Sequence, residues 1–503
     1  MIRRASWLLA LLLSGCAAGP PPETVVGGLT LPVRDPTPRP LDDDDPRETP
    51  PATEPRAVPV LPSPQHQRLP SGVELVTVAR KGSPRVELRL VVKGAGTDAD
   101  GDTPGLAALA LRLCLEGGTL RLSGKDVSGR LAALGVSLSW ALRRDAAVIS
   151  ASMPGASVKE GLSLLLQTLR EPRLDAVELG RARRLERGAT PSFHLPERWL
   201  PEIERRELLQ GAAAGSVEAT LDRASALDLR AFARRHLGPQ ALTVVLVGEI
   251  DDTLRDALDK GTAAWKTTTS PAPPRPLAPR RERHRILLLD RPQAAVDLWL
   301  LAPGPAMHSE GGAAFALLAE ILGGAPTTRL PLALQSSPPL AATARMELLQ
   351  RGPQALLHLQ ATADASRAVA ALEVILDTIR KAPDPPGEAE LPGAKGRALT
   401  SLRQLHETPH GLADELARQA ALGVVGASQR SQGQLQDAEA GQLQEAARAH
   451  LGGGLVVVVA GSAAQLTAGL QRLGEVAVVS LEKGFEVGPT LPETKASPGA
   501  EGR

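Results

Sequence analysis

What most constrains the fold of this chain is that its body is written twice. Val86 to Val92 alternates apolar and polar residues like a half-buried strand, then passes through a Gly-rich turn into an alanine- and leucine-rich helix closed by Gly117 and Gly118. Val296 to Leu301 repeats that order, through Gly304 to Gly312, into a helix closed by Gly323 and Gly324, at an offset of 296 − 86 = 210. Further on, Ala233 to Gly238 leads into the apolar run Leu242 to Gly248, and Ala447 to Gly452 leads into Leu455 to Gly461. There the offset, taken on His236 and His450, is 450 − 236 = 214. Two pairs of segments in one order at nearly one spacing predict two similar units, head to tail. The two histidines close helices in equivalent places, where an imidazole meets the C-terminal dipole, so they read as caps and not as catalysts.

These marks divide the 503 residues. The repeated domains span residues 69–266 and 284–482, joined by a linker over 267–283 that is rich in proline and threonine from Thr267 to Pro279. Residues 17–68 form a proline-rich tether with an acidic run, Asp42 to Asp45, and residues 483–503 a loose tail. Lys+Arg 57 against Asp+Glu 56 leaves a net charge of +1, so no global field draws the protein to nucleic acid. Tyrosine is absent and aromatic residues are 2% of the chain, which removes stacking platforms and every phenol that could polarise a carbonyl. The two cysteines, Cys16 and Cys114, are too far apart in context to suggest a disulfide or a Cys-x-x-Cys metal site. Cys114, inside a predicted helix with nothing basic beside it, reads as a small buried hydrophobe.

Residues 1–16 read as an export signal: Arg3 and Arg4 supply the positive start, and Trp7 to Leu13 form an apolar core too short to span a bilayer. Leu13-Ser14-Gly15-Cys16 is similar to the lipobox of bacterial lipoproteins, which makes Cys16 the expected lipid attachment site; the plainer reading is a secretory signal with an incidental cysteine. Ala17, in place of an aspartate, resembles the sorting pattern of outer-membrane lipoproteins. The expected location is therefore the cell envelope, lipid-anchored, at the outer membrane and facing the periplasm.

Over about residues 69–482 the chain resembles the insulinase or pitrilysin family of zinc metallopeptidases, in the two-domain branch related to mitochondrial processing peptidase. The resemblance rests on the order and spacing of Leu69 to Leu75, Gly105-Leu106-Ala107, Glu116 to Thr119, Ile321 to Gly324 and Thr328-Arg329-Leu330. It implies an α+β fold of two tandem homologous domains, each a largely antiparallel sheet with helices on one face. Active members follow the Gly-Leu-Ala with His-x-x-Glu-His, because positions i, i+3 and i+4 share one helix face where two imidazoles ligate zinc and the carboxylate activates its water. Here those positions are Ala108, Leu111 and Arg112. Alanine and leucine offer no lone pair and a guanidinium repels a dication, while Thr103 and Pro104 still read as a helix start. The family's third ligand, a glutamate, falls by ungapped counting at Ala189, with Glu186 close enough to leave that register open. The arginine and tyrosine that hold the substrate carbonyl in active members fall at Gln335 and Ala342. The resemblance therefore implies no catalytic residues, no zinc and no other cofactor.

One string imitates a different zinc motif. His406-Glu407-Thr408-Pro409-His410, with Glu415 downstream, spells His-Glu-x-x-His, which works only on an unbroken helix. Pro409 lacks an N–H and restrains Thr408, so a helix ending near His406 and another starting after Pro409 is expected. His308, in the Gly304 to Gly312 loop, reads as a solvated loop residue. The leading expectation is the non-catalytic subunit of a two-protein peptidase, partnered by an active insulinase-type subunit carrying the zinc motif and helping to bind peptide. The alternatives are a free-standing peptide-binding or scaffold protein of the envelope, and a hydrolase with an unrecognised site.

Overall fold

A computed structural model describes residues 61–189, 196–208, 217–265, 278, 281–291, 293–335, 339–351, 354–481 and 486–494, with a short backbone pairing at 25–26 and 29–30. The expected export signal, Cys16, most of the expected tether and linker and the last residues of the expected tail lie outside the described residues. The segment from residue 60 onward is one compact unit.

Its first half runs β1 (Gln65–Arg68), β2 (Glu74–Ala79), β3 (Arg85–Lys93), α1 (Leu106–Glu116), α2 (Gly124–Ala133), β4 (Ser137–Leu142), β5 (Ala146–Pro154), α3 (Val158–Arg170), α4 (Ala176–Ala189), α5 (Pro196–Leu208), α6 (Val217–Arg223), α7 (Ala226–His236), β6 (Leu242–Gly248) and α8 (Asp252–Ala263). The second half runs β7 (Arg285–Asp290), β8 (Ala295–Pro305), α9 (Gly312–Gly323), α10 (Arg329–Leu334), β9 (Thr343–Arg351), β10 (Gln354–Asp364), α11 (Ala368–Arg380), α12 (Glu390–Glu407), α13 (Pro409–Leu422), α14 (Ala427–Asp437), α15 (Ala440–Leu451), β11 (Val456–Gly461), α16 (Ala463–Leu470), β12 (Glu475–Ser480) and β13 (Glu486–Leu491).

The strand order carries the repeat into three dimensions. The first sheet is β1-β2-β6-β3-β5-β4 and the second, read from its other edge, is β13-β12-β7-β11-β8-β10-β9. In both, the first long strand pairs parallel with the strand that follows the His236 or His450 helix (β2 with β6, β7 with β11), and every step from there to the β4 or β9 edge is antiparallel. The flanks differ: β1 extends one sheet antiparallel to β2, whereas β12 joins the other parallel to β7.

Each half packs its own helices on one face of its sheet, around Leu88, Leu90, Leu109 and Leu113 in the first and Leu298, Leu300, Phe315 and Leu317 in the second. The opposite faces are where the expected half-buried strands change character. On the first sheet Val76, Val78, Val91, Val148, Val245 and Val247 are covered by Leu412, Ala413, Leu416, Ala417 and Ala420 of α13, a helix of the second half. On the second sheet Leu287, Leu289, Leu301, Val456 and Val458 are covered by Trp199, Ile203 and Leu208 of α5, a helix of the first half. Trp199 meets Trp299 edge-on, with ring centroids 4.7 Å apart. Each half thus roofs the other's sheet, and strands that read as one-sided are buried on both sides.

That roof explains the polar residues of β3. Glu87 and Arg89 stand on the face that alternation assigns to solvent, yet Arg89 is 0% exposed. Its guanidinium donates to Asp414 Oδ1 of α13 at 2.6 Å and to Glu87 Oε2 at 3.1 Å, and lies 3.1 Å from His410 Nδ1. Ser152 Oγ of β5 donates to the other Glu87 oxygen at 2.6 Å. Burial opposes the ionisation of Glu87, but the bonds from Ser152, Arg89 and His410 outweigh it and lower its pKa.

Candidate functional site

The family motif positions sit on α1, whose start is built differently from the expected Thr103–Pro104 cap. Gly105 takes the N-cap position at φ 90°, a conformation that favours glycine. The carboxylate of Asp100 accepts from the amides of Gly105 (2.8 Å) and Ala107 (2.7 Å), supplying the acceptors that a first helical turn lacks. Burial of that carboxyl pushes its pKa up to about 6, against the pull of the two amides.

From this start Leu111 points into the core at 3% exposure, whereas Ala108 and Arg112 are part-buried. Arg112 Nε lies 2.5 Å from Glu186 Oε1 on α4, and its Nη1 lies 2.8 Å from Glu116 Oε1 one turn along α1. The guanidinium also stacks over Trp140 of β4, 5.1 Å from the ring centre. Glu186 is thus the α4 carboxylate that reaches Arg112, 186 − 112 = 74 residues on. Sequence reasoning missed Glu186 as a partner; its signal was an acid seventy-odd residues after an arginine at a ligand position.

This donor set does not fit zinc. A tetrahedral site needs three protein ligands with free lone pairs. Ala108 and Leu111 have none, and the carboxylates of Glu186 and Glu116 are both bonded to the Arg112 guanidinium. Among the described residues no three His, Cys, Asp or Glu side chains form a group that could hold a metal ion. Gln335 follows α10 and Ala342 precedes β9, both exposed.

The other sequence candidates are placed as follows. α12 ends at Glu407 and α13 begins at Pro409, with Thr408 extended between them and its Oγ1 accepting from the Gly411 amide at 3.0 Å. The break separates His406, buried at 6% exposure, from His410, which joins the Glu87–Arg89 cluster. Glu415 is bound by Arg418, Gln419 and Ser428 instead. Cys114 is fully buried, and burial pushes its thiol up to about 12. His236 ends α7 and His450 lies in the last turn of α15, His236 bonding to the Gly94 backbone and packing on Phe232. His308 is partly buried, with Arg418 and Arg430 among its charged neighbours.

Beside α1, β4 is the edge of the first sheet and, among the described residues, pairs with β5 alone. Its residues alternate between exposed Ser137, Ser139 and Ala141 and part-buried Leu138, Trp140 and Leu142. Its outer backbone N–H and C=O groups can pair with an extended chain.

Comparison with known proteins adds to this geometry. The sequence profile of the family described as "Peptidase M16 inactive domain" matches residues 223–397. A crystal structure of a peptidase M16 inactive domain from Pseudomonas fluorescens superposes with a TM-score of 0.70 at 20% identity, covering 79% of this chain and 98% of that one. The crystal structure of a protease from Helicobacter pylori superposes with a TM-score of 0.70 at 16% identity, covering 80% of this chain and 100% of that one. No curated protein matches. At these identities the solved structures establish the fold.

Proposed function

We propose, taking the chain as a non-catalytic member of the insulinase, or M16, family, that it is the peptide-holding subunit of a two-protein peptidase in the cell envelope. The profile match and the superposed structures support that premise. One observation carries the rest: Arg112, which the resemblance sets where an active member has a zinc-ligating imidazole, is bonded to Glu186 and Glu116. On this reading the chain supplies no zinc site of its own, and it keeps the two-sheet frame and a sheet edge at β4. Peptide bound there is held by backbone hydrogen bonds, which tolerate many sequences. An active insulinase-type subunit supplies the zinc motif, and acylation of Cys16 holds the assembly at the membrane.

The test is purification of the full chain from its native membrane, with copurifying proteins identified by mass spectrometry and peptide hydrolysis assayed. The chain alone is expected to bind peptide and not cleave it, and to bring down a sibling carrying His-x-x-Glu-His. Hydrolysis by the isolated chain, or a source genome without such a sibling, overturns the proposal.

A further inference from the structure

Three of the six large apolar side chains that stand exposed among the described residues lie on one side of the first half: Leu120 at 73%, Val177 at 81% and Leu227 at 67%. They come from different elements that converge on the segment between α3 and α4. The loop after α1 is tied to that segment by the Leu120 amide donating to Glu171 O (3.1 Å) and the Arg173 amide donating to Gly118 O (2.9 Å). Arg181 of α4 donates to Glu116 O at the end of α1 at 2.9 Å, and Arg230 of α7 donates to Leu174 O at 3.0 Å. None of the three apolar side chains belongs to a core cluster.

Arginines surround these tips. Val177, Arg181 and Arg184 follow at i, i+4 and i+7 along α4, and Leu227, Arg230 and Arg234 at i, i+3 and i+7 along α7, so each helix presents one apolar residue and two cations on one face. Arg121 and Arg173 stand beside Leu120. Against Asp175, Glu178 and Glu116 the formal balance is 6 − 3 = +3, in a chain whose total is +1. Arg121, Arg184 and Arg234 have no acidic partner among the described residues. A protein interface gathers its apolar residues into a charge-poor centre, and a second copy would set like charges against each other. Here cations separate the apolar tips, as on surfaces that lie in a bilayer interface, where alkyl groups enter the headgroup layer and guanidinium groups stay at its phosphates.

We infer that this face docks on an anionic bilayer surface, seating Leu120, Val177 and Leu227 among the headgroups. The inference rests on the envelope anchoring proposed above and adds which side of the body meets the lipid. From Cys16 to Leu61 there are 61 − 16 = 45 residues, a span of up to about 150 Å when extended, so an anchor at Cys16 leaves that choice to the body's own surface.

The test uses the full acylated chain with Leu120→Cys, labelled with an environment-sensitive fluorophore and reconstituted into phosphatidylcholine vesicles with or without phosphatidylglycerol. Cys16 is blocked by its lipid and Cys114 is fully buried, so the label goes to position 120; Leu332→Cys, exposed on the second half, is the control. Emission from position 120 is expected to shift to the blue in the phosphatidylglycerol vesicles and to return as salt is raised, while position 332 stays unchanged. Arg184→Gln and Arg234→Gln, which leave no acid unpaired, should each lower the ratio of docked to undocked protein about fivefold. Equal emission in the two kinds of vesicle, or the same shift at position 332, overturns docking. A shift that follows protein concentration instead of lipid charge assigns the face to a second copy and also overturns it. Failure of the unlabelled chain to float with neutral vesicles overturns the anchoring instead.

Discussion

Arg112 is the residue on which the chemistry turns, and its side chain and that of Glu186 are 15% and 13% exposed. Removing one member strands a charge in a partly dry site, so Arg112→Ala should lower stability by about 1–3 kcal/mol in chemical denaturation. Replacing both by leucine should recover most of that loss, because an apolar pair of similar volume carries no desolvation cost. The two single variants and the double form a cycle that isolates the pair. Glu74 behaves oppositely to Asp100. Burial alone would raise its pKa, but Lys93, Arg68 and Thr243 outweigh burial and bring it down to about 2. An unfolded glutamate titrates near 4.3, so the ionised form is favoured by folding and its contribution is complete above that value. It is lost as pH falls through about 4 towards 2. The stability difference between the native chain and Glu74→Gln should therefore shrink steadily across that window in acid denaturation. At this scale the sequence, through its resemblance, set Ala108, Leu111 and Arg112 where active members carry zinc-binding groups. It did not show Glu186 as Arg112's partner, because counting residues cannot fix which turn of α4 faces α1.

Among the elements, α5 and α13 do what strand patterns could not reveal. Alternation in β3 separates apolar from polar positions, and Glu87 and Arg89 read as wet because the pattern records polarity and not what covers it. A helix from the distant half covers them, and their charges are satisfied across the junction by Asp414 and His410. Arg89→Ala leaves Glu87 buried beside lost partners and should destabilise by about 3–5 kcal/mol, whereas Arg89→Met together with Glu87→Gln should cost distinctly less. Thermal and denaturant unfolding of the three proteins checks the order. The break between α12 and α13 was legible, since Pro409 cannot continue a helix and Thr408 offers a cap. The Asp100 cap of α1 was not: that acceptor lies five residues before Gly105, outside the local spacing by which caps are recognised.

For the whole molecule, the repeat announced two like sheets, and their matching strand order follows from it. The exchange of roofs was hidden, because it joins residues far apart in the chain, Trp199 with Trp299 and Arg89 with Asp414. Its consequence is cooperative: neither half has a complete core without the other. Separately expressed halves ending and beginning near residue 266 should be insoluble or expose apolar surface, and co-expressed halves should form a one-to-one complex that gel filtration detects. Two stable, independent monomers would oppose this. The claim beneath the functional reading remains that a guanidinium has taken a metal ligand's place. It is tested most directly by elemental analysis for zinc, after the purified full chain and its A108H/L111E/R112H variant are each exposed to equimolar zinc and desalted. The account predicts no stoichiometric zinc in the native chain and close to one per molecule in the variant; one zinc per native chain would contradict it.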